Sequence, residues 1–305
     1  MSFKNLLEQY SSKEYIDSLI AEFLQSKPLA NGTHNAVTQL NGKVFLRSLD
    51  LIPTTPSAIR EFTEEFNDNL MLNYNMLQDG INVVPLLGCF NYKGEFVEVQ
   101  GKAPGDIVHS TNPSDVTTRF LTEHEQDLMR YVNLSPKAYE RQLEYNLKMK
   151  QALVDAPQSF YDKFVADAKL LNSKHLQYLG DISAENVTFD CQKGFYFIDL
   201  DPYGDGYASI LSDCNIMRQL SCLFDSINTY YACNSIAHHE QNTRSNKQVI
   251  TKFFNAAINN NFKFSERDLE FVESFINDCC LEEDAKQIIT NFKMQYLAKN
   301  KEFKK

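Results

Sequence analysis

Asp181 is followed five residues later by Asn186, and Asp199 stands thirteen beyond that, behind the apolar run Phe195, Tyr196, Phe197, Ile198. Asp201 comes two positions further on. Carboxylate and amide oxygens are hard ligands suited to Mg2+, and a carboxylate can also accept the proton of a hydroxyl. A site that moves a phosphoryl group needs both, plus a cation for the phosphate oxygens, and little covalent chemistry. Asp199 is the sharpest of these residues. A carboxylate behind four large apolar side chains is costly to bury unless a metal or strong hydrogen bonds meet it. The others have plainer alternatives: Asp181 as a turn cap after Gly180, Asn186 as a brace of its own loop, and Asp201 evenly between metal ligand and loop brace.

The elements that must position these residues are legible in outline. Residues 1–26 read as helix, with Ser11-x-x-Glu14 as a capping box ahead of Tyr15, Ile16, Leu19, Ile20 and Phe23. Asn41-Gly42, between residues 35–40 and 43–48, predicts a hairpin with a type I′ turn. Thr55-Pro56 opens a helix running to about Gln78, and Gly80 ends it. Residues 83–90 and 95–100 read as strands joined by a turn over 91–94. After Gly101 a connector leads to helical segments at 135–153 and 160–171. The acid-rich stretch then interrupts them with a hairpin, 187–190 and 195–200, turning at 191–194. From about residue 209 to 292 the pattern is helical, and the charged tail 299–305 reads as frayed. The expected fold class is α+β with two unequal lobes: residues 1–101 a small β-rich N-terminal lobe, residues 102–305 a larger, mostly helical C-terminal lobe, and a ligand cleft between them.

Composition narrows the partners. Lys and Arg total 30 against 40 Asp and Glu, a net charge of −10 over 305 residues. That balance disfavours nucleic acid and anionic membrane surfaces, and leans toward a cationic small-molecule substrate. Seven cysteines are scattered without a C-x-x-C pair, so neither a zinc site nor a disulfide framework is indicated. The adjacent Cys279 and Cys280 read as packing residues, and His238-His239 has no third ligand at metal spacing. No stretch has the apolar length of a membrane span, and the first residues carry no signal-peptide core. A cytoplasmic location is expected, with a secretion route that needs no cleavable signal left open.

The motifs taken together carry a resemblance. Leu179-Gly180-Asp181-Ile182-Ser183-Ala184-Glu185-Asn186, then a hairpin, then Phe197-Ile198-Asp199-Leu200-Asp201, resembles H-G-D-L-H-x-x-N followed by I-D-F/W-D. Those motifs belong to the kinase-like phosphotransferase superfamily, in its branch of aminoglycoside phosphotransferases and choline or homoserine kinases. Asn31-Gly32-Thr33-His34-Asn35 ahead of Val44-Phe45-Leu46-Arg47 is similar to that family's phosphate-covering loop and basic strand. Gly80-Ile81-Asn82-Val83-Val84-Pro85 resembles its G-I-P-V-P, and Val97-Glu98-Val99 through Pro104-Gly105 resembles its interlobe connection. The resemblance covers residues 31–213 loosely and in the family's order.

It implies a protein-kinase-like two-lobed fold and an ATP-dependent phosphotransferase that moves the γ-phosphate to a hydroxyl of an aminoglycoside- or choline-like small molecule, with Mg2+. Asp181 would be the catalytic base, and Asn186, Asp199 and Asp201 the metal ligands. Gly32, Thr33, Asn35 and Arg47 would surround the phosphates, Glu65 would pair with Arg47, and Gln100 and Lys102 would border the adenine. Several residues depart from the pattern. Leu179 and Ser183 replace both motif histidines, the phosphate loop holds one glycine, and Gly204-Asp205 is followed by Asp213 at a longer distance than in the family. These departures suit a second reading, a catalytically degenerate member that binds nucleotide or a partner. A protein acceptor and a D-x-D glycosyltransferase built on Asp199-Leu200-Asp201 complete the alternatives, the helical second half speaking against the last.

Overall fold

The computed structural model of the chain describes residues 2–31, 35–48, 55–108, 136–175, 177–178, 186–198, 200–202, 213, 216–217, 220, 236–280 and 282–302. The chain forms two compact units that part between Ala103 and Pro104.

The first unit opens with two helices, α1 (Phe3–Tyr10) and α2 (Lys13–Phe23). The single helix expected over residues 1–26 breaks at Ser11-Ser12 because the second serine supplies a new start. Ser12, rather than Ser11, is the cap, its hydroxyl accepting from the Tyr15 N–H at 3.3 Å. A strand that the sequence did not announce follows, β1 (Lys27–Asn31), bulged between Pro28 and Ala30 and paired antiparallel with β2 (Asn35–Leu40). The Asn-Gly turn joins β2 to β3 (Lys43–Ser48), with Asn41 at φ 51 and Gly42 at φ 74, the two left-handed residues a type I′ turn requires. The helix α3 (Pro56–Gln78) starts where Thr55-Pro56 predicts, the Thr55 hydroxyl accepting from the Ala58 N–H at 3.2 Å. Then β4 (Leu86–Tyr92) and β5 (Glu95–Gly101) meet across Lys93-Gly94. This turn is shorter than expected because Asn91 and Tyr92 stay in the ladder, opposite Phe96 and Glu95.

These strands form one antiparallel sheet in the order β1-β2-β3-β5-β4. Residues opposite one another on paired strands share a face, so Phe45 and Val99 lie on one side, as do Arg47, Val97 and Phe90. That side packs on α2: Leu19 joins Phe45, Phe90, Val97 and Val99 in a fully enclosed apolar core, with Phe23 against their rim. Phe96, one step along β5, faces the other way and stacks on Phe62 of α3 with ring centroids 4.0 Å apart. The sheet is therefore covered by a different helix on each face. At the β4 edge the Tyr15 hydroxyl donates to Leu87 O at 2.8 Å, and the Leu86 N–H donates to Asn73 Oδ1 at 3.0 Å.

The second unit begins with β6 (Asp106–Ile107) and takes in most of α4 (Pro136–Asp155), then α5 (Gln158–Ser173) and β7 (Gln177–Tyr178). Next come β8 (Val187–Asp190), β9 (Gly194–Phe197) and β10 (Asp201–Pro202). Helices α6 (Ile236–Asn259), α7 (Glu266–Cys279) and α8 (Glu282–Glu302) complete it. β6, β8 and β9 make a three-stranded antiparallel sheet, and β7 pairs with β10. The β8–β9 turn is held by the Asp190 carboxylate, which accepts from the N–H groups of Gln192 and Lys193 at 2.8 and 2.9 Å. β9 stops at Phe197, three residues short of the expected end at 200. The expected fraying from residue 299 does not hold as far as Glu302. Lys299 Nζ donates to Ile258 O at 2.5 Å and Asn259 O at 3.3 Å, satisfying carbonyls that the end of α6 would otherwise leave bare. The mixed α+β composition is as expected from the sequence. Among the described residues no helix is long and apolar enough to cross a membrane.

Two glycines with the same backbone sign separate strain from collision. Gly42 (φ 74) has open space where a Cβ would go, whereas a Cβ on Gly105 (φ 75) would stand 2.0 Å from Phe189 O. Gly42→Ala is expected to cost about 1–2 kcal/mol, the left-handed penalty alone. Gly105→Ala must also push β8 away and is expected to cost at least ~2 kcal/mol more. Urea unfolding of the two variants checks the difference.

Candidate functional site

In the second unit the candidate residues are organised by the β8–β9 hairpin. Val187 and Phe189 of β8 and Phe195 and Phe197 of β9 are buried. Phe164 of α5 lies against both Phe195 and Phe197, the second ring stacked at 5.0 Å, and Tyr161 meets Phe195 edge-on at 5.3 Å. The apolar approach to Asp199 thus has a structural cause: β9 is the strand that roots the hairpin on α5. The ladder runs one step beyond the strands, for Ile198 N–H donates to Asn186 O at 2.9 Å. On the other side, Tyr178 pairs with Asp201 and Gln177 with Pro202. Residues 179–185 lie between Tyr178 and Asn186, so the chain entering them and the chain leaving them are both hydrogen-bonded to the stretch 198–202. Position 199 falls within that stretch.

Asp181 and Asp199 themselves lie outside the described residues, as do Leu179 and Ser183 and the side chain of Asp201. Among the described residues no group of three or more His, Cys, Asp or Glu side chains could hold a metal ion. The set Asn186, Asp199 and Asp201 extends beyond the described side chains. Its donors are all oxygens, which suits Mg2+ and excludes a zinc site of the usual nitrogen and sulfur type.

The first-unit candidates divide differently from expectation. Gly32 and Thr33 lie outside the described residues, and Asn35 opens β2 opposite Ser48, its side chain likewise outside. Arg47 pairs with Glu95 at 3.3 Å, both side chains partly exposed. Glu65, the partner that the resemblance implies, is exposed on α3. The expected pairing fails for a geometric reason. Arg47 shares the α2 face with Phe45 and Val97, while α3 covers the opposite face through Phe62 and Phe96, so the sheet stands between the two residues. On the α3 side β3 presents Val44, Leu46 and Ser48, none of them a cation. Gln100 faces that side too, donating to Glu98 Oε1 at 2.6 Å. The side chains of Arg47 and Gln100 therefore project from opposite faces, and one ligand on the sheet cannot meet both. Lys102 is exposed, and its backbone N–H donates to Gly42 O at 2.8 Å, tying the start of the connection to the β2–β3 turn.

Three supporting residues were not anticipated in these roles. Asn73 is buried on α3, donating to Val84 O at 2.7 Å and accepting from Leu86 N–H, which sets where β4 begins. It occupies an apolar-spaced position after Phe66 and Leu70, so a polar residue on a core stripe was the available signal. Thr188 is buried in β8 and donates to Pro104 O at 2.9 Å. Asp213 accepts from the Lys263 N–H at 2.8 Å and pairs with Lys169 at 3.3 Å, which braces α5 against the residues that follow α6.

No protein-family model matches this chain. No curated protein matches it. Among solved structures it is similar to the crystal structure of a kinase domain, at 11% sequence identity over 88% of this chain and 87% of that one, with a TM-score of 0.40. A superposition at that score and identity does not establish a fold family.

Three cysteines, Cys89, Cys191 and Cys280, have described side chains, and they differ in exposure. Burial pushes the Cys89 thiol up to about 12, with the Glu98 carboxylate adding to it. Cys280 is pushed up to about 12 in the same way, burial first and Asp284 second. Cys191 is free and exposed on the β8–β9 turn. Raised thiols keep their protons at neutral pH, and the thiolate is the nucleophile. Brief maleimide treatment of the native chain near pH ~8 is expected to label Cys191 and spare Cys89 and Cys280, as peptide mass spectrometry would show.

Proposed function

We propose that the chain is an ATP-dependent phosphotransferase that uses Mg2+ and transfers the γ-phosphate to a hydroxyl of a small, aminoglycoside- or choline-like molecule. The observation that carries this reading is the clamp in the second unit, where both ends of the segment bearing Asp181 are hydrogen-bonded to the stretch bearing Asp199 and Asp201. Asp181 takes the proton of the acceptor hydroxyl, and Asn186, Asp199 and Asp201 hold the metal. Mg2+, when bound, neutralises charge on the phosphate oxygens. The backbone around Gly32, Thr33 and Asn35 covers the phosphates, and the base lies toward residues 100–103, with Gln100 and Lys102 beside it. The first unit, to about residue 101, binds nucleotide, and the remainder carries the chemistry. The excess of 40 acidic over 30 basic residues favours a cationic acceptor.

A second reading, nucleotide binding without transfer, has its own support. Arg47 faces α2 and pairs with Glu95, so β3 offers no cation on its α3 side, and Leu179 and Ser183 stand where the motif has histidines. Arg47 is accordingly left out of the phosphate site.

Activity against a panel of amino alcohols and amino sugars with Mg2+ and ATP tests the first reading. Asp181→Asn and Asp199→Ala are each expected to lower the transfer rate by about 100-fold or more. Full activity in either variant overturns it. Arg47→Ala is expected to change ATP affinity by less than about twofold, since an exposed pair with Glu95 is all it loses. Thermal-shift titration then separates the readings. Stabilisation by ATP without turnover favours the binding module, and no response to any nucleotide ends both.

A further inference from the structure

We propose that α1 is an exchangeable arm: when Ser11-Ser12 straightens into one helix, α1 leaves its own α3 and seats on the α3 of a second copy of this chain. Every contact involved lies within the first unit. The break between α1 and α2 rests on a single torsion. Ser11 (φ −92, ψ −3) and the φ of Ser12 (−69) already lie near helical values, and only the ψ of Ser12, at 141, does not. The bend is held by Ser12 N–H donating to Gln9 O at 3.1 Å and by the Ser12 hydroxyl accepting from Tyr15 N–H at 3.3 Å. Turning that ψ would join residues 3–23 in one helix, where the N–H groups of residues 12–15 find carbonyls four residues back.

Helical phase explains why a single chain keeps the bend. At about 100° per residue, the stripe Phe3, Leu6, Leu7 and Tyr10 points about 160° away from the stripe Tyr15, Ile16, Leu19, Ile20 and Phe23. The second stripe is fixed on the sheet through Leu19. In a continuous helix the α1 stripe would therefore face away from its own unit. The bend turns it back, so that Phe3 meets Tyr74 of α3 with ring centroids 5.7 Å apart and Tyr10 stacks on Tyr15 at 5.1 Å.

The hold is light, for no residue of α1 is buried. Release uncovers two complementary surfaces, the stripe on the arm and the seat it vacates beside Tyr74. The segment whose fit to that seat is already shown is α1 itself, which makes a second copy the matching occupant. Two straightened chains satisfy both surfaces by exchange about a two-fold axis, each repeating the Phe3–Tyr74 contact on the other.

Sedimentation equilibrium of the full chain over ~1–200 μM provides the test, with a reversible monomer and dimer expected. Ser12→Ala removes the cap from the bent form of both chains and is expected to lower the dimer Kd by about tenfold or more. Lys13→Pro is expected to raise it by at least about 100-fold. Proline suits the first position of α2, after a Ser12 already at ψ 141, but inside a continuous helix it would collide with the carbonyl of Gln9. Tyr74→Ala is expected to leave the Kd within about twofold, because the seat contact is lost equally from both forms. Absence of a dimer in Ser12→Ala, or an undiminished dimer in Lys13→Pro, overturns the proposal. A larger shift in Tyr74→Ala overturns it too: tightening would mean released arms pairing with each other, and weakening a contact made only in the dimer. Melting temperatures confirm that the variants are folded, and should Lys13→Pro fail to fold, Ser12→Ala decides alone.

Discussion

The hydrogen bond from Ile198 N–H to Asn186 O is the constraint on which the candidate site depends. It closes the β8–β9 hairpin one step past its strands and so fixes how far apart residues 186 and 198 can lie. The pair β7–β10 brings the other end of the segment to the same place, yet a two-residue ladder cannot persist by itself. Its persistence is borrowed from the hairpin, and the hairpin's from the aromatic contacts of Phe195 and Phe197 with Phe164. Polar positioning at the surface of this unit is therefore an outcome of aromatic packing beneath it. Contacts of that kind add about 0.5–1.5 kcal/mol per pair beyond the area they bury.

The first unit obeys a different constraint, the alternation of a strand. Every second side chain of β3 and β5 is committed to α2, and the rest are turned toward α3. With both faces covered by helices, a slip of register by one residue would exchange Phe45 with Val44 and Arg47 with Leu46, and expel the core. The placement of Arg47 is as firmly set as that of Phe45, two residues away on the same side. The pairing of Arg47 with Glu95 follows from their common face.

Local signals proved readable and non-local ones did not. Asn41-Gly42 and Thr55-Pro56 specify a turn and a helix start through their own backbone chemistry, and both stand where expected. Ser11-Ser12 offered two capping serines, and the choice between them rested on a hydroxyl reaching Tyr15 N–H, which spacing cannot decide. β1 is a strand because β2 pairs with it. Lys27-Pro28-Leu29-Ala30-Asn31 has neither alternation nor strong β propensity to declare it. The resemblance that pairs Glu65 with Arg47 carries position along a helix and is blind to which side of a sheet the helix covers. At the site, the spacing of Asp181, Asn186 and Asp199 was visible in one dimension. What spacing could not reveal was the second attachment, Tyr178 to Asp201.

The edges of the five-stranded sheet bear on how this unit could meet an extended peptide. At one edge β1 carries a proline and a bulge, and at the other the start of β4 has its outer groups taken by the Tyr15 hydroxyl and the Asn73 amide. Many proteins that grip an extended peptide do so by letting it join a sheet as one more strand. Neither margin here invites that. A peptide meeting this sheet would have to be read through side chains rather than backbone.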